Sequence, residues 1–184
     1  MAKRAAARAP REAHATPLGS VAGDASAPLA LDKVIHERFF DTYEAAATGN
    51  LSDWEHSAQG ALALLILLDQ FPRNMFRGDA RAFATDPLAR AITAGAIIRG
   101  FDSQVPNELR GFFYLPFEHS EDLADQERCI ALNKADGDTE NLKWAEIHAD
   151  IIRRFGRFPH RNAALGRTTT PEEQAFLDGG GFAG

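Results

Sequence analysis

The chain has 184 residues, of which 45% are hydrophobic and 25% are charged, and its formal net charge is −6 at pH 7. This length and composition suit one domain with an ordinary hydrophobic core, and they exclude collagen-like, disulfide-rich and wholly disordered proteins. The acidic balance argues against nucleic-acid partners. The longest apolar run, residues 61–68, is far shorter than the roughly 20 residues that cross a bilayer, so we expect no membrane partner.

The chain contains one cysteine, Cys129. A lone cysteine excludes an internal disulfide and a zinc site built from several thiolates, and it is typical of proteins in a reducing compartment. Its position in a helical apolar pattern favours a packed, inert thiol over a nucleophile. We therefore expect a cytoplasmic protein.

Residues 1–30 differ from the rest of the chain because they contain no aromatic residue and are rich in Ala, Pro and Gly. Such a segment has too few large apolar side chains to offset the entropy lost on ordering it. We therefore predict a disordered tail over residues 1–30 and a single all-helical domain over residues 31–184.

The first half of this domain contains three helical patterns. Apolar side chains recur at three- and four-residue spacing over residues 31–49 and predict the first helix. The second helix is apolar on nearly all sides and is expected to end by Pro72, because proline lacks an N–H and its ring clashes with the preceding turn. The third helix is expected to begin with Asp86 as its N-cap and to end at Gly100.

The next segment contains two further helical patterns. Pro106 opens a helix that carries residues 111–115 and meets Pro116. Ser120 is the expected N-cap of the following helix, because acidic residues that suit a helix N-terminus come directly after it. A polar loop over residues 135–141 is expected to end this helix.

Two more helices complete the chain. Apolar spacing predicts a long helix that ends at Gly156, and a Thr-x-x-Glu capping box that begins at Thr170 opens a short last helix. No window alternates apolar and polar residues as a half-buried strand would. The predicted fold class is therefore all-α, with irregular antiparallel helix pairs joined by short loops.

Polar residues concentrate at three expected helix ends. Two Phe-Pro segments, residues 71–77 and 158–162, resemble each other, and a third polar segment covers residues 117–127. This concentration predicts one compact cleft for a small anionic ligand, because the planar donor fork of arginine suits carboxylate and phosphate groups. The predicted ligand-binding residues are Arg73, Asn74, Arg77, Asp122, Arg157, Arg161 and Asn162.

The clustering of polar residues at these helix ends also predicts how the three segments lie relative to one another. Ionisable groups beside Phe71, Phe117 and Phe158 would be costly to bury unless they satisfied one another. We therefore expect the arginines of the first Phe-Pro segment, Arg73 and Arg77, to approach the other two polar segments. One polar cleft would then form at the ends of three helices.

A structural interpretation stays open for these residues. A helix that ends at a proline leaves carbonyl groups without partners, and arginine or asparagine just beyond it can donate to them. Asp69 stands four residues before Arg73 and could form a local ion pair with it. In this interpretation the arginines stabilise the fold and hold no ligand.

An enzyme and a scaffold are the alternative functions. Glu118, His119 and His160 are the candidate catalytic residues for hydrolase-like acid/base or metal-assisted chemistry, although capping and ion pairing would explain them structurally. With Asp122 they could ligate a divalent ion, but no spacing such as His-Glu-x-x-His is present, so no metal is predicted. A glycine-rich phosphate loop is absent, so no cofactor is predicted. A helix-pair scaffold would instead bind a protein partner.

Four segments of the chain have a distinctive sequence that can be compared with known families: LLDQFPRNMFRG at residues 67–78, RAFATD at 81–86, YLPFEHSEDLADQE at 114–127 and RRFGRFPHRNAALGR at 153–167. Together they closely resemble a bacterial family known as domain-of-unknown-function family 924. The resemblance implies an all-helical fold similar to that of tetratricopeptide-repeat proteins, and it implies no particular activity. All the predicted site residues stand intact, but residues 1–30 lack the aromatic-rich opening that is usual in the family.

Overall fold

The computed structural model describes residues 26–182, and nine α-helices lie within this range. They are α1 (Ser26–Ala47), α2 (Ala58–Leu65), α3 (Phe71–Met75), α4 (Asp86–Ile98), α5 (Asn107–Arg110), α6 (Leu115–Glu118), α7 (Leu123–Asp136), α8 (Thr139–Phe155) and α9 (Pro171–Asp178). No strand occurs among the described residues, so the predicted all-α class is confirmed. Within the same range, no helix combines the length and the apolar character needed to cross a membrane.

The first helix begins earlier than the apolar pattern indicated. α1 starts at Ser26, and Pro28 falls in its first turn, where the missing N–H has no intrahelical partner to lose. The predicted disordered tail over residues 1–30 falls mainly on residues 1–25. These lie outside the described residues, so the tail stays a prediction.

The main hydrophobic core surrounds α2, as its apolar character on nearly all sides predicts. Leu65 and Leu68 are almost fully buried, and they share this core with α4 and with Phe113 and Phe117 from the region around α5 and α6. A smaller cluster, centred on Tyr43, forms where α1 packs against α3. Each large apolar side chain contributes roughly 1.5 to 3 kcal/mol when it leaves water.

The prediction that the second helix ends by Pro72 is wrong, because a π-helical turn carries the helix past the proline. Residues 66–70 form this turn, and the N–H of Phe71 donates to the carbonyl of Ile66, five residues back. α2, the π turn and α3 therefore form one continuous helix over residues 58–75. A π turn is wider than an α turn, which gives the proline ring room inside the helix.

Side chains take over two carbonyl groups near the proline. Leu68 lies four residues before Pro72, so in a regular α-helix its carbonyl would accept the N–H that proline lacks. The hydroxyl of Thr85 donates to this oxygen at 2.6 Å instead. Arg73 Nη1 donates to the carbonyl oxygen of Asp69, and the carboxylate of Asp69 lies buried at the same turn. The chain thus compensates for the proline with polar side chains.

Two expected N-caps also differ from the structure. α4 begins at Asp86 with Thr85 in the cap position, and the Asp86 carboxylate pairs with arginines instead of capping the helix. Asp122, not Ser120, caps α7, and its carboxylate accepts the N–H of Ala124 at 2.9 Å. The cap position thus lies one residue before the predicted one in α4 and two residues after it in α7.

The helix that Pro106 opens is shorter than predicted. α5 gives way to a 3-10 turn at residues 111–113, and α6 follows with Pro116 inside its first turn. The proline therefore starts a helix here and does not end one, because a missing N–H is tolerated at an N-terminus.

The loop predicted over residues 135–141 is a tight turn. Gly137 ends α7 with φ of 75°, a left-handed conformation that glycine adopts without strain. The Asp138 carboxylate then accepts the N–H groups of Glu140 and Asn141 and starts α8. α7 and α8 consequently pack closely as a helix pair.

The C-terminal predictions agree with the structure. Gly156 ends α8 with φ of 68°. Thr170 and Glu173 form the expected capping box, in which the Thr170 hydroxyl accepts the N–H of Glu173 and the Glu173 carboxylate accepts the N–H of Thr170. α9 packs against the 3-10 turn Pro159–Arg161, which follows α8.

Replacing the Thr85 hydroxyl should reveal the role of its bond to the proline-containing helix. Thr85→Val should lower the free energy of unfolding by about 1 to 3 kcal/mol, because a buried carbonyl loses its donor. Adding Pro72→Ala should recover part of this loss, since alanine supplies an N–H near the same carbonyl. Urea unfolding of the two single variants and the double variant measures the coupling.

Thr48→Val is the matched control. Thr48 also donates to a carbonyl, that of Glu44 at 2.7 Å, but this bond is exposed to water. The control should therefore change stability much less than Thr85→Val. Equal effects of the two substitutions, or strictly additive effects of Pro72→Ala and Thr85→Val, would contradict this account.

Candidate functional site

A cleft of about 390 Å³ lies where the N-terminal end of α4, the connection between α6 and α7, and the segment after α8 meet. Its walls are formed by Phe83, Asp86, Pro87, Arg90, His119, Ser120, Glu121, Asp122, Arg161, Leu165 and Arg167. Three of these side chains are arginines and three are acidic, so the cleft is strongly polar without a large net charge.

His119 is held by a buried carboxylate at the π turn. Its Nδ1 lies 2.9 Å from both carboxylate oxygens of Asp69, which also accepts a hydrogen bond from Gln70. Burial opposes ionisation of Asp69, but Arg73 and His119 overcome this effect and hold the pKa of Asp69 well below its usual range. Burial and the charge of Arg73 lower the pKa of His119, although Asp69 opposes the change. The pair is therefore a carboxylate and a neutral imidazole at pH 7.

Gln126 fixes the backbone that carries His119. This fully buried side chain lies on α7, and its Nε2 donates to the carbonyl oxygens of Glu118 and Ser120, each at 2.6 Å. These two carbonyls flank His119 in the sequence. Gln126 thus fixes the connection between α6 and α7, and with it the position of the imidazole.

Asp86 joins the two Phe-Pro segments. Arg73 binds it with two hydrogen bonds of 3.1 and 3.2 Å, and Arg161 approaches the same carboxylate at 3.4 Å. All three groups are largely shielded from water, with 23%, 7% and 8% of the side chains of Arg73, Arg161 and Asp86 exposed. Two guanidinium groups therefore share this carboxylate, and Arg73 also lies 3.5 Å from the Asp69 carboxylate.

Arg161 lies between two aromatic rings. Its guanidinium carbon is 4.6 Å from the ring centres of both Phe83 and Phe158, and its Nη2 donates to the main-chain carbonyl of His119 at 3.0 Å. Burial and the charge of Arg73 lower its pKa to about 10, although Asp86 opposes the change. Its Nε is buried and finds no hydrogen-bond partner among the described residues. Arg161 is thus a buried cation that packs between two rings and has one long contact with a carboxylate.

Glu121 links the residues that form the outer wall of the cleft through hydrogen bonds. Arg167 forms two hydrogen bonds of 2.8 Å with this carboxylate, which also accepts the N–H of Phe158 at 2.8 Å. Arg90 stands on α4 with its Nε 3.4 Å from the Asp125 carboxylate. Glu121 therefore fixes the segment after α8 to the turn that carries His119.

Glu118 lies in the core next to the cleft and does not line it. Its Oε1 is 3.3 Å from Nδ1 of His148, and Cys129 lies against its other oxygen. Burial, together with the charge of Asp69, raises the pKa of Glu118 to about 8, and burial lowers the pKa of His148. The contact between Glu118 and His148 is therefore one between neutral groups at pH 7, not an ion pair.

His160 also lies outside the cleft. Its ring packs between Phe158 and Phe182, with ring centres 5.6 and 5.3 Å away, and its Nδ1 is buried without a partner among the described residues. Burial and the charge of Arg161 lower its pKa to about 3. The structure therefore does not bring His160 and Glu118 to His119 as a catalytic group.

The remaining predicted ligand-binding residues are divided between the cleft and other sites. Asp122 reaches the cleft wall while it caps α7. The expectation that Arg77 joins the cleft is wrong, because Arg77 and Asn74 both bind Asp32 on α1. Two others, Arg157 and Asn162, instead bind the Glu173 carboxylate on α9.

The four residues considered for a divalent ion are not gathered at one point. Asp122 caps a helix, Glu118 lies in the core and His160 packs among aromatic rings. Over residues 26–182, no three His, Cys, Asp or Glu side chains are placed so that they could hold a metal ion.

Sequence reasoning missed the two acidic residues on which the site depends, Asp69 and Asp86. It assigned Asp69 to a local ion pair with Arg73, which the structure confirms at 3.5 Å, but it did not foresee the contact of Asp69 with His119. It assigned Asp86 to a helix cap. An aspartate within the long apolar pattern of the central helix was the available signal, because such a carboxylate is buried and needs several partners. Arg167 and Gln126 carried no comparable signal, since their partners lie far away in sequence or on the backbone.

The raised pKa of Glu118 predicts a pH-dependent loss of stability. Between about pH 4.5, the ordinary value for this group, and pH 8 the folded chain binds a proton that the unfolded chain releases, so stability falls as pH rises. Glu118→Gln keeps the shape without the titration. Between these two pH values, the free energy of unfolding of Glu118→Gln should therefore rise by roughly 2 to 4 kcal/mol relative to that of the wild type.

Urea unfolding at several pH values measures this difference. Glu146→Gln, at an exposed position on α8, is the matched control and should show little change relative to wild type. A pH-independent difference for Glu118→Gln would contradict the account of a buried neutral carboxyl.

Comparisons with known proteins agree with this architecture. The chain is similar to a solved structure, the protein of unknown function ATU0120 from Agrobacterium tumefaciens, with 52% sequence identity and a TM-score of 0.79. The match covers 82% of this chain and 85% of that one. No curated protein matches the chain. The family model of a bacterial protein of unknown function, DUF924, matches residues 25–181, and the chain therefore belongs to the DUF924 family.

Proposed function

We propose that the protein binds a small molecule through an anionic group at Arg161 in the cleft. The observation that carries this proposal is the sharing of Asp86 by two guanidinium groups, Arg73 and Arg161. Arg73 occupies both oxygens of the carboxylate, so Arg161 keeps only a long contact of 3.4 Å. A carboxylate or phosphate oxygen from a ligand would complete its neutralisation.

The dimensions and the rigidity of the cleft support a small ligand. A volume of about 390 Å³ lies at the lower end of the range for small-molecule sites. The rings of Phe83 and Phe158 hold the guanidinium in place before a ligand arrives, which reduces the entropy lost on binding. Leu165 and Pro87 add apolar surface for the rest of the ligand.

Two other classes of partner are less well supported. Each arginine of the basic segment 153–167 is paired with a carboxylate, so this segment presents no free basic surface to a nucleic acid. The large apolar side chains that are exposed, among them Trp54, Ile98 and Trp144, are spread over six elements of the described chain, whereas a scaffold would concentrate them in one patch. The buried lone cysteine is in keeping with the proposed cytoplasmic location.

The substitution Arg161→Lys should distinguish a ligand-binding role of Arg161 from a role in stabilising the fold. Lysine keeps the charge but loses the planar fork, so the affinity for a bound carboxylate or phosphate should fall about tenfold or more. Thermal unfolding with succinate, citrate or inorganic phosphate measures the shift of Tm that each probe causes relative to the same protein without it. At least one probe should raise the Tm of the wild type and raise that of Arg161→Lys much less.

Arg77→Lys is the control, because it removes a guanidinium fork that pairs with Asp32 outside the cleft. It should keep the full probe-induced shift. If no probe shifts the wild type, or if both variants lose the shift equally, Arg161 is a structural brace and the proposed function is wrong.

A further inference from the structure

The cleft contains one group that anion binding does not use, the imidazole of His119. Because Asp69 is an ionised acceptor 2.9 Å from Nδ1, this nitrogen carries the hydrogen and donates it. Nε2 keeps its lone pair and makes no hydrogen bond within the described part of the chain. His119 lines the cleft and 16% of its side chain is exposed, so we infer that its imidazole borders the ligand space.

The proton acceptor is held beside the cation. Arg161 donates to the main-chain carbonyl of His119 at 3.0 Å, so the guanidinium lies next to the residue that carries the imidazole. A neutral imidazole does not attract an anion, and its free nitrogen instead accepts hydrogen from water or a hydroxyl group. An anionic ligand on Arg161 would therefore place its uncharged part next to a base.

Neighbouring side chains offer no nucleophile for this base to activate. The Ser120 hydroxyl donates to Asp125 at 2.7 Å and accepts the N–H of Asp122. Cys129 lies fully buried against Glu118, and burial raises the pKa of its thiol. The remaining candidate is a water molecule that enters the open cleft.

We propose that this site hydrolyses a small carboxylic ester that carries an anionic group, with His119 as the general base. Nε2 removes a proton from water as the water oxygen bonds to the acyl carbon. The bond from that carbon to the leaving oxygen then breaks, and the leaving oxygen takes the proton from the imidazolium. Asp69 is a positioning residue that keeps the hydrogen on Nδ1 and orients the ring.

The charges around the cleft favour an acyl ester over a phosphate ester. Acyl transfer develops one negative charge on one oxygen, whereas phosphoryl transfer spreads a larger charge over several oxygens. Equal numbers of arginine and acidic side chains around the cleft suit the smaller charge. The inference rests on the proposed function, because Arg161 has to hold the anionic group.

Hydrolysis of mono-4-nitrophenyl succinate tests the proposal, with 4-nitrophenyl acetate and 4-nitrophenyl phosphate for comparison. The wild type should hydrolyse the succinate ester with a kcat/KM about tenfold or more above that for the acetate ester, because only the former reaches Arg161. His119→Gln should lower kcat about 10²-fold or more. His56→Gln, at an exposed position outside the cleft, is the matched control and should keep full activity.

The test of Asp69 has to distinguish its proposed effect on the imidazole from a purely structural role. In the wild type, kcat should rise with pH through a value below the ordinary 6.5 for histidine, as the lowered pKa of His119 requires. Asp69→Asn should lower kcat about 10²-fold with little change in KM and should displace this limb of the pH profile. If this variant does not fold, the wild-type profile and His119→Gln still decide the question.

Each outcome counts for or against the proposal. A wild-type rate no higher than that of His119→Gln, or a preference for 4-nitrophenyl phosphate, would overturn it. If succinate still raises the Tm of the wild type through Arg161, the proposed binding function survives this failure. If succinate, citrate and inorganic phosphate all leave the Tm unchanged as well, both proposals fail.

Discussion

A proline inside the central helix is the constraint on which the rest of the structure depends. The helix cannot pass Pro72 with regular α geometry, because one N–H is missing and the ring needs space. The π turn resolves both problems and draws Thr85 and Arg73 onto the exposed carbonyls. The same turn places the Asp69 carboxylate inside the fold, where it holds His119. A backbone irregularity therefore determines where the polar site lies.

The buried charges explain why the site is built as a network. A guanidinium or carboxylate removed from water is destabilising unless partners surround it, and Arg73, Asp86 and Arg161 have partners in one another. The network is nevertheless incomplete at Arg161, which has a lowered pKa and an unpartnered Nε. A purely structural network would gain stability from a second carboxylate at this point. Among the described residues no second carboxylate forms an ion pair with Arg161, whereas Arg157 forms two short hydrogen bonds with Glu173 of α9.

The all-α class and several helix ends could be predicted because they depend on neighbouring residues. The capping box at Thr170 needs only four consecutive positions. The π turn could not be predicted, since Pro72 is accommodated by Thr85, which lies on the chain beyond α3. Of the arginines that line the cleft, Arg161 was predicted, whereas Arg90 and Arg167 were not. The roles of Asp69 and Asp86 were also missed, because Asp86 meets arginines 13 and 75 residues away in the sequence. Spacing reveals local partners and cannot reveal such distant ones.

The carboxylate of Glu173 gives the C-terminal helix an influence on a cleft that it does not line. Glu173 accepts hydrogen bonds from Arg157 and Asn162, which lie on either side of the turn that carries Arg161. The bonds from Arg157 and from the N–H of Thr170 lower the pKa of Glu173 to about 2. α9 and Arg161 are therefore parts of one mechanical unit. By thermodynamic reciprocity, an anion that favours the seated form of Arg161 also favours the docked form of α9. If the proposed anion binds at Arg161, detachment of α9 and occupancy of the cleft would therefore oppose each other.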